Sequence, residues 1–214
     1  MNQWEEFLSP YKQANEELKV KLKGIRKQYE LNNEYSPIEF VTGRIKPVGS
    51  IIEKAQARNI DYDKLALEMY DICGLRIMCQ FVDDIEIVVQ LLRQRDDFKI
   101  VEERNYIEHT KQSGYRSYHV IIEYPIETIE GKKVVLAEIQ IRTLAMNFWS
   151  TIEHTLNYKY AGEYPPEIQQ RLQNAAQASY LLDQEMNEIK EEIKAAQKYF
   201  TNNRTDRRLS LIHI

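Results

Sequence analysis

The sequence predicts an α+β fold: a mixed β-sheet core flanked by helices, with long N- and C-terminal helices. Two patterns and their order predict it. Residues 4–30 carry Trp4, Phe7, Leu8, Tyr11, Leu18, Leu22, Ile25 and Tyr29 at helical spacing with charges between them. Residues 167–199 return to that spacing, with a stripe of Ile168, Leu172, Ala175, Leu182, Met186, Ile189 and Ile193. Between them, β-rich runs alternate with helical ones, an order that places a sheet between helical ends.

Each element has its local reason. Gly24 is a tolerated weakness in the first helix. Ser36-Pro37-Ile38-Glu39 carries a capping pattern, but Phe40–Arg44 reads equally as a short strand, so the region is a joint. Ile51, Ile52 and Ala55 share a face of a helix from Val48 to Arg58, which Asn59 ends. From Gly74 to Val82, Leu75, Ile77, Cys79 and Phe81 alternate with Arg76, Met78 and Gln80, the pattern of a strand. Asp83-Asp84 starts a helix through Arg95, and Phe98–Glu103 is a short strand. Tyr118–Tyr124 is a strand closed by Pro125, and Glu130-Gly131 turns the chain into a strand over Val134–Arg142. Thr143 caps a helix holding Trp149, Ile152 and Leu156, and Pro165-Pro166 separates it from the last helix. The two long helices have more apolar stripe than a small sheet needs; they can pair with each other, form an oligomer interface, or do both.

The 214 residues suit one domain, 1–200, followed by a tail at 201–214 expected to be disordered. A net charge of −4 argues against general attraction to nucleic acid. Cys73 and Cys79 match no common zinc spacing and read as buried free thiols of a reducing compartment. The first residues show neither a signal peptide nor an apolar run long enough to span a membrane, so the expectation is a cytoplasmic protein.

The chemistry concentrates in Ser113-Gly114-Tyr115-Arg116-Ser117-Tyr118-His119 and Glu138-Ile139-Gln140-Ile141-Arg142-Thr143. These runs place a ring, cations, a histidine and a carboxylate on neighbouring strands. Asp71, just before the strand at Gly74, and Glu138 could hold Mg²⁺ together with substrate phosphates. Alternatively, Glu138 lies on the ordinary polar face of an alternating strand. Among Arg44, Lys46, Lys54, Arg58, Arg76, Arg104, Lys111 and Arg116, only Arg76 sits mid-strand on the site's face, where a guanidinium can stack on a base or fork onto phosphate. Tyr115 can stack a nucleobase, and His119 shares its face. The chain has no G-x-x-x-x-G-K-[ST], G-x-G-x-x-G or H-E-x-x-H, so phosphoryl chemistry here would rely on Mg²⁺ and positive charge without a P-loop.

These motifs, with Phe40-Val41-Thr42-Gly43-Arg44-Ile45-Lys46-Pro47 and Asp71-Ile72-Cys73-Gly74-Leu75-Arg76, resemble the synthetase domain of RelA/SpoT-type alarmone synthetases. The length, the leading helices and Ala145-Met146-Asn147-Phe148-Trp149 are similar to the stand-alone small alarmone synthetases of the RelQ type. The resemblance implies a nucleotidyltransferase-like synthetase core. It also implies transfer of the β,γ-pyrophosphate of ATP to the 3′-hydroxyl of GDP or GTP, giving (p)ppGpp and AMP in the stringent response.

By the same resemblance, Asp71 and Glu138 hold Mg²⁺, and Glu138 activates the hydroxyl. Arg44 and Arg76 sandwich adenine, while Lys46, Lys54 and Arg58 neutralise the ATP phosphates. Tyr115 stacks on guanine, Asn147 reads its edge, and Lys111 and His119 contact the acceptor. The resemblance further implies a homotetramer, allosteric activation by product at Lys19, Lys23, Arg26, Glu39, Phe40 and Thr42, and an association with single-stranded RNA. Cys73 stands where the family usually has alanine, beside Asp71, and is expected to make activity sensitive to oxidation. A non-catalytic nucleotide- or RNA-binding regulator of the same fold is the alternative. Alarmone hydrolysis is disfavoured because the histidine-rich metal site is absent from the sequence.

Overall fold

The computed structural model describes residues 3–159 and 164–210, with side chains for 3–157 and 164–199. The elements run α1 (Gln3–Leu31), β1 (Phe40–Ile45), α2 (Val48–Arg58), a 3-10 turn (Tyr62–Lys64), α3 (Leu65–Glu68), β2 (Cys73–Cys79), α4 (Val82–Arg93), β3 (Lys99–Asn105), β4 (Tyr118–Thr128), β5 (Gly131–Thr143), α5 (Leu144–Lys159) and α6 (Pro166–Ser210). The joint after Ser36 resolves as strand β1. Asn59 ends α2 in a left-handed conformation, as its small polar side chain permits.

The sheet is mixed, in the order β1-β2-β5-β4-β3, with β2 and β5 parallel and every other pair antiparallel. Its register sorts the residues into two faces. One row aligns Thr42, Arg76, Gln140, His119 and Arg104 across all five strands, and the next aligns Arg44, Gly74 and Glu138. The intervening positions, Leu75, Ile77, Ile139, Ile141 and Val120, join α1 and α4 side chains in the core. A single sheet therefore presents one apolar face to its helices and one polar face to the site.

α1 packs on this apolar face, and its Asn15 is buried there among Tyr11, Ala14, Leu18 and Leu22. Asn15 Nδ2 donates to the Gly74 carbonyl at 3.1 Å and to the Arg44 carbonyl at 3.4 Å. A side chain at position 43 would meet the Asn15 amide at 2.4 Å, so Gly43 makes room for this bridge between β1 and β2.

Three expectations need correction. Pro125 does not close β4, which continues to Thr128. β3 begins at Lys99 opposite Glu123, so beyond that point β4 has only β5 beside it, and Pro125 stands in an edge segment, where a proline is tolerated. Among the described residues the terminal helices do not pack as a pair: α1 lies on the sheet, while α6 packs on α5 and α4. The helical backbone of α6 also runs on to Ser210, so residue 200 is not a break; 211–214 lie outside the described residues.

α6 is fixed to the core by two buried acids. Asp84 accepts from Lys190 at 3.2 Å, from Tyr35 at 2.6 Å and from the Phe81 backbone at 3.2 Å. Asp183 accepts from the Thr143 hydroxyl, which also caps Met146 N at the start of α5. Burial pushes the Asp183 carboxyl up to about 6, against the Thr143 hydrogen bond. An acid raised in the folded state contributes stability that is present below its ordinary pKa and lost as the pH rises through about 6. Asp183→Asn is therefore expected to gain stability over the native protein above that pH, by up to about 3 kcal/mol. Thermal melts between pH 5 and 8 check this: the variant's advantage grows with pH.

Candidate active site

The polar face of the sheet forms a cleft lined by Thr42, Gly43, Arg44, Asp71, Gly74, Leu75, Arg76, Glu138 and Gln140. Gly74 pairs with Glu138, so the parallel β2–β5 ladder brings Asp71, at the entry to β2, beside a carboxylate 67 positions later in the chain. Each acid raises the other's cost of ionising, as the effect of Asp71 on Glu138 shows.

The two acids are solvated by protein in different ways. Asp71 Oδ2 takes ion pairs from Lys54 at 2.8 Å and Lys46 at 3.0 Å. Burial raises its pKa, but the two lysines outweigh that and hold the carboxyl below its ordinary value. Its other oxygen, Oδ1, is buried and has no hydrogen-bond partner. A buried, ionised carboxylate oxygen left without a donor is suited to a cation. Glu138 is only 8 % exposed, which overturns the solvent-face alternative. Its Oε1 accepts from His119 Nδ1 at 3.1 Å and its Oε2 from Gln140 Nε2 at 2.7 Å. Burial raises its pKa too, and these hydrogen bonds reverse the direction, keeping it ionised.

Arg76 stands mid-cleft. Its Nη1 donates to Asn147 Oδ1 at 3.1 Å from the first turn of α5, and its buried Nε has no partner. Burial and then the charges of Arg142 and Arg44 push its pKa down to about 10. This cleft end holds three guanidiniums whose mutual repulsion an anionic or aromatic ligand would relieve. Arg44 and Arg58 are exposed. Lys46 and Lys54, expected on substrate phosphates, both pair with Asp71.

The second half of the site lies over β4. Tyr115, Tyr106 and His119 form a cluster of edge contacts with centroids 5.1–6.1 Å apart. Lys111 sits over the Tyr106 and Tyr115 rings at 4.5 and 5.0 Å. His119, expected to touch the acceptor, is 6 % exposed and has both nitrogens engaged, with Tyr115 and with Glu138. It lies behind the platform.

The loop before β4 is held by α6. Arg116 donates to the Ala176 carbonyl at 3.4 Å and to Gln177 at 3.1 Å, and lies over the Tyr180 ring at 4.2 Å. Gln173 donates to the Gln112 carbonyl at 2.8 Å. Gly114 has a φ of +88°, and a Cβ there would come 2.5 Å from the Ala176 Cβ. Both the backbone conformation and the close approach demand glycine. Gly114→Ala is expected to cost about 1–3 kcal/mol and to loosen the loop that carries Tyr115. Thermal melts of the variant beside the native protein check this.

The positions expected to form a regulatory site lie along the edge strand β1 and the adjoining part of α1. Lys19 pairs with Glu16, Arg26 with Glu30 and, at 4.0 Å, Glu39, which also accepts from Gln80. Lys23, Phe40 and Thr42 are exposed, and Thr42 also lines the cleft. Cys73 is fully buried and its thiol is pushed up to about 11 by burial, so the expected sensitivity to oxidation has no accessible thiolate behind it. Cys79 is likewise a buried free cysteine.

Residues 43–163 match the family model described as the region found in RelA / SpoT proteins, and the chain belongs to this family. It is 59% identical over 199 residues to the GTP pyrophosphokinase YjbM of Bacillus subtilis, covering 93% of this chain and 94% of that protein. Two crystal structures of small alarmone synthetase 1 from Bacillus subtilis are also similar. The form bound to its product pppGpp superposes with a TM-score of 0.87 at 60% identity, covering 90% of this chain and 99% of that one. The form bound to AMPCPP gives 0.80 at 55% identity, covering 91% and 100%.

Gln140, Arg142, Ser117 and Ser150 complete the site's hydrogen bonding; the sequence reading counts Arg142 only as a cation of its run and gives the other three no role. Continuing the two-residue period from Glu138 reaches Gln140 and Arg142 on the same face, a signal present in the strand itself.

Proposed function

We infer that this protein is a GTP pyrophosphokinase: it transfers the β,γ-pyrophosphate of ATP to the 3′-hydroxyl of GDP or GTP, releasing AMP and forming (p)ppGpp. The observation that carries the reading is the convergence of two ionised carboxylates, Asp71 with an unpartnered buried oxygen and Glu138, in a cleft otherwise rich in cations. The relatives supply the substrate class, one being named a GTP pyrophosphokinase and others crystallised with pppGpp or AMPCPP.

The site's residues divide the work between two nucleotides. Arg44 and Arg76 flank the adenine, and Lys46, Lys54 and Arg58 neutralise the triphosphate, the first two turning from Asp71 when phosphate arrives. Tyr115 stacks on the guanine, Lys111 holds the acceptor's charge, and Asn147, tied to Arg76, presents its free amide to the guanine edge. Stacking tolerates any base, so guanine selectivity needs such a polar contact. Glu138, held ionised, accepts the 3′-hydroxyl proton as the oxygen attacks the β-phosphorus, and fixing both nucleotides in line supplies much of the rate. Asp71 and Glu138 are the residues that would hold Mg²⁺, which when bound supplies neutralisation of the phosphate charge.

We further propose a homotetramer and product activation. The outer faces of α5 and α6 expose Phe148, Ile152, Leu181, Leu182, Met186, Ile189 and Ile193, an apolar surface suited to self-association. The cations Lys19, Lys23 and Arg26 beside Glu39, Phe40 and Thr42 at the β1 edge suit the phosphates and base of (p)ppGpp. No helix among the described residues is long and apolar enough to cross a membrane.

Incubation with ATP, GDP or GTP and Mg²⁺ tests the enzymatic reading. A 3′-pyrophosphorylated guanosine nucleotide is the expected product. Binding of both nucleotides without any product would instead favour a non-catalytic regulator.

A further inference from the structure

Five side chains of the site close into a hydrogen-bonded ring. Arg142 Nη2 donates to Tyr115 Oη at 2.6 Å and to Gln140 Oε1 at 2.8 Å. Tyr115 Oη meets His119 Nε2 at 2.8 Å, His119 Nδ1 meets Glu138 Oε1 at 3.1 Å, and Gln140 Nε2 donates to Glu138 Oε2 at 2.7 Å. The ring thus runs from a guanidinium to the candidate base along two routes, one through the aromatic platform and one through an amide.

The direction of each bond follows from its members. A guanidinium only donates, so the Tyr115 oxygen accepts from Arg142; its own hydrogen is assigned to His119 Nε2, the arrangement for a neutral imidazole. An ionised carboxylate only accepts, so His119 carries its hydrogen on Nδ1, toward Glu138. The same constraint fixes Gln140: its carbonyl must face Arg142, which leaves its NH₂ facing Glu138. Arg142 thus fixes the Gln140 amide and the acceptor side of the Tyr115 hydroxyl.

Arg142 itself is 3 % exposed. Its hydrogen bonds go to Tyr115 and Gln140 and to the hydroxyls of Ser117, at 3.3 Å, and Ser150, at 3.0 Å, all neutral oxygens. Burying a guanidinium on neutral partners is costly, and a strand built only for stability would use an apolar residue there. The charge is balanced at a distance by Glu138, through the ring.

We propose that Arg142 and the hydroxyl of Tyr115 are positioning residues that orient Glu138 for attack by the acceptor's 3′-hydroxyl. Tyr115 thereby has two separable parts: its ring faces the acceptor base, and its hydroxyl aims the carboxylate. Seating of the acceptor on the ring is communicated to the catalytic oxygen through two hydrogen bonds. The proposal rests on the reading of Glu138 as the base.

The test is the kinetics of Tyr115→Phe, which keeps the ring and removes the hydroxyl, alongside Arg142→Lys, Arg142→Gln and Glu138→Gln. For Tyr115→Phe, kcat is expected to fall about tenfold or more, with the acceptor KM within about twofold of the native value, the pattern of a lost alignment rather than lost binding. Arg142→Gln is expected to lose more and Arg142→Lys to recover part of it. The double variant Tyr115→Phe/Arg142→Gln is expected to lose less than the product of the single losses, because both act through one ring. Retained binding of a non-hydrolysable ATP analogue shows that each variant is folded. Native kcat in Tyr115→Phe, or a loss confined to acceptor KM, overturns the proposal. An active Glu138→Gln variant would instead overturn the reading of Glu138 as the base. An inactive Glu138→Gln beside a fully active Tyr115→Phe would remove the ring alone.

Discussion

Glu138→Gln is expected to lower kcat by at least about 10³-fold, the combined loss of a proton acceptor and of an anion at the reacting centre. The side chain keeps its size, so β5 retains its register with β2 and β4. One of the two donors now facing the carboxylate, His119 Nδ1 or Gln140 Nε2, must face an NH₂ instead, because Arg142 fixes the Gln140 amide. That mismatch costs about 1–3 kcal/mol of stability, small enough to leave a folded protein. Initial rates with both nucleotides saturating, together with a thermal melt, separate the chemical loss from the structural one. A variant that retains a tenth of native kcat would show that Glu138 does not take the proton.

Asp71→Asn is expected to lower kcat by about 10²-fold or more and to raise the Mg²⁺ concentration needed for half-maximal rate by about tenfold. The substitution removes the anion that Lys46 and Lys54 share and the unpartnered oxygen that suits a cation. Asp71's pKa is depressed in the folded protein. Its contribution to stability is therefore present above the ordinary value of 3.8 and lost as the pH falls through the still lower folded value. The variant should accordingly be less stable than the native protein at neutral pH, and the gap should close in strong acid. Rates measured across a magnesium titration decide the functional part, and an unchanged magnesium requirement would remove Asp71 from the metal site.

The helices and strands were largely legible because their causes are local. The αL cap at Asn59, the Thr143 cap and the alternation of Leu75, Ile77 and Cys79 each act within a few residues. Pro125 was misread because a proline's effect depends on whether a second strand lies beside it, and β3 starts too late to do so. The pairing of Gly74 with Glu138 is a property of the parallel ladder, to which the composition of either strand is silent. The residues themselves offer Asp71 and Glu138 only as a possible metal pair on adjacent strands, and the motif resemblance implies the same pair. Exposure could not be read from alternation alone: a half-polar strand looks the same whether its polar face meets water or, like Glu138, is enclosed by His119 and Gln140. Asn15 was hidden for the complementary reason, a polar residue on an apolar helical stripe whose partners are carbonyls of two distant strands.

The acceptor loop shows how far the site depends on the periphery. Arg116, Gln173 and the contact of Gly114 with Ala176 tie the residues around Tyr115 to α6, whose exposed apolar stripe is the proposed assembly surface. The proposed assembly and the proposed acceptor binding would therefore share one helix.

On the reading proposed above, the protein moves a pyrophosphate unit intact from ATP to a guanosine 3′-hydroxyl. The most direct measurement follows the products of ATP and GTP in Mg²⁺ by phosphorus NMR or ion-exchange chromatography. AMP and a guanosine nucleotide bearing a 3′-diphosphate are expected in equal amounts, abolished together in Glu138→Gln. ADP as the co-product, or a guanosine nucleotide unaltered at its 3′-position while ATP is consumed, would contradict it.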